Sequence, residues 1–387
     1  MTRFTVDDVD NFSKPIHAIL GKKPQSEKPS DVILGIEFEN EIATAIDMPN
    51  IKGFSYHPEG SLRNHGFEYV FSKPSPEKHA KILVERYLEV VTKDFPPLLN
   101  SRRASTHIHF DASLYTYEDI LKYFIVYSVA EPFLSVYAGP SRQDNLFCQR
   151  LQDAKAAVPS FTSELSQFKP YRSYIFSEDY RYASCNLSSV LKFCTIENRL
   201  LRATSSKEVI FGWIDLLKSI RTFAASFKTL VEFRDFFIKT PAEEFFNICF
   251  AKEPDLNRLL FDTVRDASIQ DLFDQMRSNF LALEPIIIKY SSTDFKKARE
   301  DAEKAAKSKK DSSTGLIGNI DAAVEAIRQR YVVQAQNILD TETIISRVAP
   351  PRVELPVIRI LSTPQADNSD TNPVLIGLVE NPVSYDI

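Results

Sequence analysis

The spacing of apolar and polar positions changes several times along the chain, and each change marks an element. From Val32 to Ile42 the positions alternate. Val32, Leu34, Ile36, Phe38 and Ile42 share one parity, broken by Asn40, while Ile33, Gly35, Glu37, Glu39 and Glu41 share the other. A period of two predicts a strand with one apolar face and one carboxylate face. A second strand region spans about Lys52 to Ser72, divided into a hairpin by the loop PEGSLRNHG at 58–66. From Pro76 to Thr92 the period becomes helical, with Ile82, Leu83, Val84, Tyr87, Leu88 and Val91 in one stripe and Pro76 suited to the first turn. Ala104–Asp111 returns to a strand pattern, and Tyr117–Tyr137 reads as a long apolar helix.

Further on, Tyr182–Val190 and Lys192–Leu201 predict a closing pair of strands. A helical pattern then dominates from Ser206 to about Tyr290, with breaks near Pro241 and Pro254. Trp213 and the Phe-rich run at 222–250 recur at helical spacing, which predicts core packing. The pattern divides the chain into an N-terminal arm (1–30), a main domain (31–290, β-rich over 31–205 and helical over 206–290), a charged linker with an amphipathic helix (291–343) and a Pro-rich tail (344–387).

Candidate chemistry lies on the polar parity of the strands. Three of them carry pairs of polar residues at i, i+2: Glu37 and Glu39, His107 and His109, Glu197 and Arg199. Each pair projects from one face of a sheet. The hairpin adds Glu59 and Glu68. So many carboxylates on one surface would repel or take up protons unless a cation neutralised them. Oxygen-rich ligation with room for water suits Mg²⁺ or Mn²⁺ bridging nucleotide phosphates. Arg199 would clamp a phosphoryl oxygen through its planar fork, and either His107 or His109 could serve as ligand or phosphate donor. Arg103, before the histidine strand, and Arg142, after it, could also reach phosphates or a substrate carboxylate.

Taken in order, these motifs resemble the amidoligase branch of the glutamine synthetase and glutamate–cysteine ligase superfamily, a branch found in bacteria and their phages. The matching pieces are GIEFE at 35–39, EGSL and GFE within 59–68, STHIH at 105–109 and CTIENR at 194–199. Arg142 followed by QDNLFC, and YASCNLSSV at 182–190, look like two further family segments. The resemblance implies an α+β fold, an antiparallel sheet funnel backed by helices with a mainly helical C-terminal half. It implies an ATP-dependent carboxylate–amine ligase that forms an amide through an acyl phosphate. By the same resemblance, Glu37, His107 or His109, and Glu197 hold the metal nearer the substrate carboxylate. Glu39, Glu68 and Glu59 hold metal on the nucleotide side, and Arg199 contacts the γ-phosphate. The family usually has an aromatic or aliphatic residue where this chain has Asn198.

Two other readings compete: a guanidino-kinase-like phosphotransferase, disfavoured by the Glu-x-Glu and His-x-His pairs, and an inactive structural or interaction protein that keeps the fold. Composition narrows the partners. Apolar residues are 43% of 387 and charged residues 26%, ordinary for a globular protein, and a net charge of −5 argues against general nucleic-acid or acidic-membrane binding. No apolar run is expected to cross a bilayer, and four scattered cysteines without a Cys-x-x-Cys pair suggest reduced thiols. The expectation is a cytoplasmic protein acting on small-molecule or peptide carboxylates and amines.

Overall fold

A computed structural model describes residues 12–42, 47–94, 101–153, 176–250 and 269–290 except 13, 64 and 177, a few positions between 297 and 304, and the backbone of 355–359 and 378–383. The chain forms two units, Met1–Lys307 and Ser308–Ile387. The first is α+β, built on an open antiparallel sheet of seven strands. In chain order these are β1 (Ile33–Asn40), β2 (Phe54–Pro58), β3 (Phe67–Phe71), β4 (Ser75–Pro76), β5 (Ser105–Asp111), β6 (Cys185–Asn186) and β7 (Thr195–Arg202). Their spatial order is β2-β3-β1-β5-β7-β6, with β4 also paired to β1.

The alternation read from the sequence sets the two faces. On one face Leu34, Ile36, Phe38, Ile108, Phe110 and Ile196 are buried beneath helices. Helix α1 (Ile16–Ile19) is short. Phe38 stacks on Tyr87 of α2 (Glu77–Asp94) with ring centroids 4.0 Å apart. The opposite face carries the charged residues. β5 is buried along its whole length on both faces, so its histidines lie at the floor of the polar side.

Helix α3 (Tyr117–Ala138) backs β7 and packs against α5 (Lys207–Ser226) and α8 (Ile269–Tyr290). A capping box starts it: Thr116 accepts from the Asp119 amide, and the Asp119 carboxylate accepts from the Thr116 amide at 3.1 Å. By length and composition α3 is long and apolar enough to cross a membrane, but 94% of its 18-residue apolar stretch is buried within the fold. The Phe-rich run packs as predicted: Trp213, Phe233, Phe245 and Phe246 are fully buried.

Three boundaries differ from the sequence reading. The expected strand at 182–190 is a two-residue β6 followed by a short helix, α4 (Ser188–Phe193). The Asn186 side chain accepts from the Ser188 amide and Ser189 Oγ donates to the Asn186 carbonyl, the local bonds that turn an extended chain into a helix start. Cys194, at φ 57°, ends α4 and turns the chain into β7. β1 stops at Asn40, where the polar run turns inward and Glu41 accepts from the Arg63 amide. The helical half has a further break: α5 ends at Ser226 and α6 (Leu230–Lys239) starts on a Thr229 cap that accepts from the Glu232 amide. The break at Pro241 separates α6 from α7 (Ala242–Phe250), whereas α8 continues through Pro285.

Pro254, the residues before position 12 in the arm and the amphipathic helix expected ahead of the Pro-rich tail lie outside the described residues. In the second unit, β8 (Leu355–Arg359) and β9 (Leu378–Val383) form an antiparallel pair.

Candidate active site

Register brings the polar pairs together. In β1 and β5, Glu37 stands opposite His107 and Gly35 opposite His109; in β5 and β7, His109 stands opposite Glu197. Two adjacent rows across three strands therefore bring together two carboxylates and two imidazoles. Glu37 sits between the rings: its Oε2 lies 3.1 Å from His107 Nδ1 and its Oε1 3.1 Å from His109 Nε2. Glu197 Oε1 is 3.5 Å from His107 Nδ1 and pairs with Arg199 Nη1, while Glu197 Oε2 accepts from Asn186 Nδ2 at 2.7 Å. Glu39 Oε2 lies 3.3 Å from His107 Nε2.

Hydroxyls fix the rings. The Ser105 hydroxyl donates to Glu39, which leaves its oxygen to accept from His107 Nε2 at 2.7 Å. Nδ1 of that ring then meets oxygens of Glu37 and Glu197 with either a second proton or a shared cation between them. Thr195 Oγ1 lies 3.0 Å from His109 Nδ1. The far nitrogen of His109 is buried and, although 3.1 Å from Glu37, is not aligned for a hydrogen bond. Glu37, His109 and Glu197 each offer one donor atom, all within 4.8 Å of one another. Three such atoms this close together fit a divalent cation.

The electrostatics agree with that geometry. Burial alone would raise the Glu37 carboxyl, but His109 and His107 hold it well below the usual carboxylate range. Burial opposes charge on Glu197 as well, and Arg199 with the two imidazoles keeps it low. Burial lowers the His109 ring, and the carboxylates of Glu37 and Glu197 more than reverse this. Glu68, cross-strand from Glu39, is pushed up to about 8 by burial and by Glu37, Glu39 and Glu59, against the pull of Arg199. The cluster thus gathers more carboxylates than it can ionise without a cation.

A bulge shapes the Arg199 position. Between Thr106 and Ile108 the β5–β7 register slips, so that Arg199 and Leu200 together face His107. Arg142 lies behind this bulge, fully buried, with every guanidinium nitrogen donating to a backbone carbonyl: Nε to Leu200, Nη1 to Arg102 and Nη2 to Arg199. It stands in the wall of the site, supporting Arg199 from behind. The Arg199 guanidinium also lies 6.0 Å from the Tyr182 ring, which meets Phe147 edge-on. Arg103 covers Phe147 at 5.0 Å and donates to the Ser61 carbonyl of the hairpin loop. Glu59 caps that loop, accepting from the Ser61 amide at 2.9 Å.

The site therefore has two ends. Glu39, Glu68, Arg199, Arg103 and the hairpin loop occupy one. At the other, beyond Glu37 and His109, opens a cleft of about 510 Å³. Of the residues predicted from sequence, Glu37, Glu39, His107, His109, Glu197 and Arg199 come into direct contact in one cluster, with Glu68 beside it. Glu59 and Arg103 stand on its loop side, and Arg142 acts through main chain. Sequence reasoning missed Ser105, Thr195 and Asn186. Ser105 and Thr195 were within reach, because each lies two residues before a predicted site residue and so shares its face. Asn186 gave no such signal.

Residues 84–221 match the family model described as "Putative amidoligase enzyme". No curated protein matches the chain. The matched span contains β5, α3, β6 and β7, and with them both histidines, Glu197 and Arg199.

Proposed function

From the amidoligase match over residues 84–221, we propose that this chain is an ATP-dependent carboxylate–amine ligase working through an acyl phosphate, on a sheet of the glutamine synthetase and glutamate–cysteine ligase type. The observation that carries the reading is the meeting of Glu37, His109 and Glu197 within 4.8 Å, with Arg199 paired to Glu197. Glu37, Glu197 and an imidazole would hold one Mg²⁺ or Mn²⁺ towards the cleft. Glu39 and Glu68, with Glu59 on the loop, would hold metal on the nucleotide side. Cations held by these residues would supply charge neutralisation for phosphoryl and carboxylate oxygens.

A carboxylate does not react with an amine, because its only leaving group would be oxide. In the proposed reaction a carboxylate oxygen bonds to the γ-phosphorus of ATP as the β,γ-bridging P–O bond breaks and ADP departs. The amine then bonds to the acyl carbon, the C–O bond breaks with its electron pair leaving on phosphate, and the amine proton passes to solvent. Arg199, steadied by Glu197 and by its backbone, would bind the phosphoryl oxygens during transfer. The buried imidazoles orient Glu37, and the depth of the site keeps water from the acyl group.

The test is ADP release from Mg-ATP by the purified protein, with and without carboxylates, using hydroxylamine as a general amine. Release should depend on both the carboxylate and the metal. Glu37→Gln and Arg199→Ala should each lower it by at least about 100-fold, and Glu37→Gln should weaken Mn²⁺ binding measured by electron paramagnetic resonance. Turnover unchanged in both variants would remove the assignment.

A further inference from the structure

The cleft beyond Glu37 and His109 has walls unlike its floor. Its inner end is formed by Glu37, His109 and Thr195, and its sides by Ile33, Val70, Phe71, Pro74 and Phe193. Phe193 is 57% exposed, a large aromatic left open to solvent, and its ring meets His109 edge-on at 6.4 Å. Gly35 is opposite His109 in the sheet and contributes no side chain; a Cβ there would meet His109 Cβ at 3.4 Å. The cleft keeps its depth on that side because glycine occupies this position.

Most polar groups around the cleft are already engaged. Lys22 Nζ donates to the carbonyls of Leu191 and Lys192. Lys192 pairs with Glu178 at 2.7 Å. Gln25 Nε2 donates to the Phe193 carbonyl at 3.1 Å. Asp111 accepts from Ser26 and from the Ser113 amide, and Thr195 is bonded to His109. Among the described lining residues, no carboxylate apart from Glu37 faces the cleft without such partners, and Glu37 is held by both imidazoles. A substrate ammonium or hydroxyl set against the apolar walls would find no partner in them, whereas an apolar body would gain by covering them.

We infer that the cleft selects a monocarboxylate with an apolar aliphatic or aromatic body, whose carboxylate reaches the Glu37–His109–Glu197 cluster and whose body lies between Phe193 and the Ile33, Val70, Phe71 wall. The volume falls in the range of small-molecule pockets, roughly 300–1,000 Å³. An α-amino dicarboxylate such as glutamate fits this chemistry poorly, because it has little apolar body to lay against those walls. The inference rests on the ligase reading for the identity of the carboxylate-binding end.

Two measurements separate the inference from that reading. The first is direct binding, by saturation-transfer NMR and calorimetry with Mg²⁺ present, of butanoate, hexanoate, octanoate, phenylpropanoate, glutamate and aspartate. The second is ADP release with the same acids, Mg-ATP and hydroxylamine. Affinity should rise about fourfold per added methylene, the equivalent of about 0.8 kcal/mol, until the cleft is full. Glutamate and aspartate should bind at least tenfold more weakly than octanoate. Gly35→Val, which fills the floor, and Phe193→Asp, an exposed position where folding is not at stake, should each abolish the chain-length dependence. Circular dichroism and melting temperature check the fold of both variants.

Chain-length-dependent binding that both variants abolish, without ADP release, would support the cleft assignment while the ligase reading fails. ADP release with glutamate or aspartate matching octanoate, unaffected by Phe193→Asp, would overturn the inference and leave the ligase reading standing. A flat binding series overturns it as well.

Discussion

Arg142 grips Arg199 by its main chain: its Nη2 donates to the Arg199 carbonyl at 2.8 Å, and its Nε reaches the neighbouring Leu200 carbonyl at 3.3 Å. Both carbonyls belong to the bulge of β7 that faces His107. A bulge turns backbone groups out of the ladder, and a buried carbonyl left without a donor costs about 1–3 kcal/mol. Arg142 supplies those donors from one planar group. It thereby fixes the direction in which the Arg199 side chain leaves the strand.

Arg142→Lys should therefore act on Arg199 from a distance. A single ammonium cannot reach three carbonyls in the fork geometry of a guanidinium. The variant should lose about 1–3 kcal/mol in urea unfolding. ADP release should fall about 10- to 100-fold in kcat with nucleotide KM changed much less, because displacement of a phosphate-binding group by about 1 Å can cost that much. A variant equally destabilised but with native kcat would show that Arg142 serves only the fold.

Much of this site was legible because a strand has a period of two. Once Glu37, His107 and Glu197 are placed on strands, parity alone puts their side chains on a common face. Which strands are neighbours is a different matter, since β1, β5 and β7 are far apart in sequence and their pairing depends on non-local packing. The bulge at His107 leaves no local trace, and so the role of Arg142 could not be read: an arginine that donates to backbone looks, in sequence, like one that binds phosphate. The α4 helix was misread for a related reason. NLSSV carries the apolar Leu187 and Val190, but Asn186 and the two serines bond locally and bend the chain. Asn198, where the family that the sequence resembles has an aromatic or aliphatic residue, is accommodated by hydrogen bonds invisible in the sequence.

Buried Glu131, in the middle of α3, gives the fold a pH dependence separate from the site. It is 2% exposed, and its carboxyl accepts from Ser184 and from the Leu151 amide. Burial pushes it from 4.5 up to about 7, against the pull of those two bonds and of Arg150. The unfolded chain releases this proton near 4.5 and the folded chain near 7. Between these values the native state binds more protons, so stability falls as pH rises through that window. Glu131→Gln imitates the protonated carboxyl, with an amide able to donate to Ser184 and an oxygen to accept from Leu151. It should equal the wild type near pH 4.5 and exceed it at pH 8 by on the order of 3 kcal/mol at most. Urea unfolding of both proteins at several pH values measures the gap; a constant difference across the range would assign the effect to something other than this proton.

Asn198 is fully buried on the helix-facing side of β7, where its Oδ1 accepts from the Tyr123 hydroxyl at 2.8 Å and its Nδ2 donates to the Ile108 carbonyl at 3.1 Å. It thus ties β7 to both α3 and β5. Asn198→Leu supplies an aliphatic side chain of similar size but strands a hydroxyl and a carbonyl in the core, and it should cost about 1–3 kcal/mol for each group left unpaired. Tyr123→Phe alone should cost less, because only the Asn198 oxygen loses a partner. Adding Tyr123→Phe to Asn198→Leu should then recover about 1 kcal/mol, since the hydroxyl that could not be satisfied is gone. A double-mutant cycle in urea reads this coupling directly. Strict additivity of the two changes would mean that the Tyr123–Asn198 bond contributes nothing to holding α3 against the sheet.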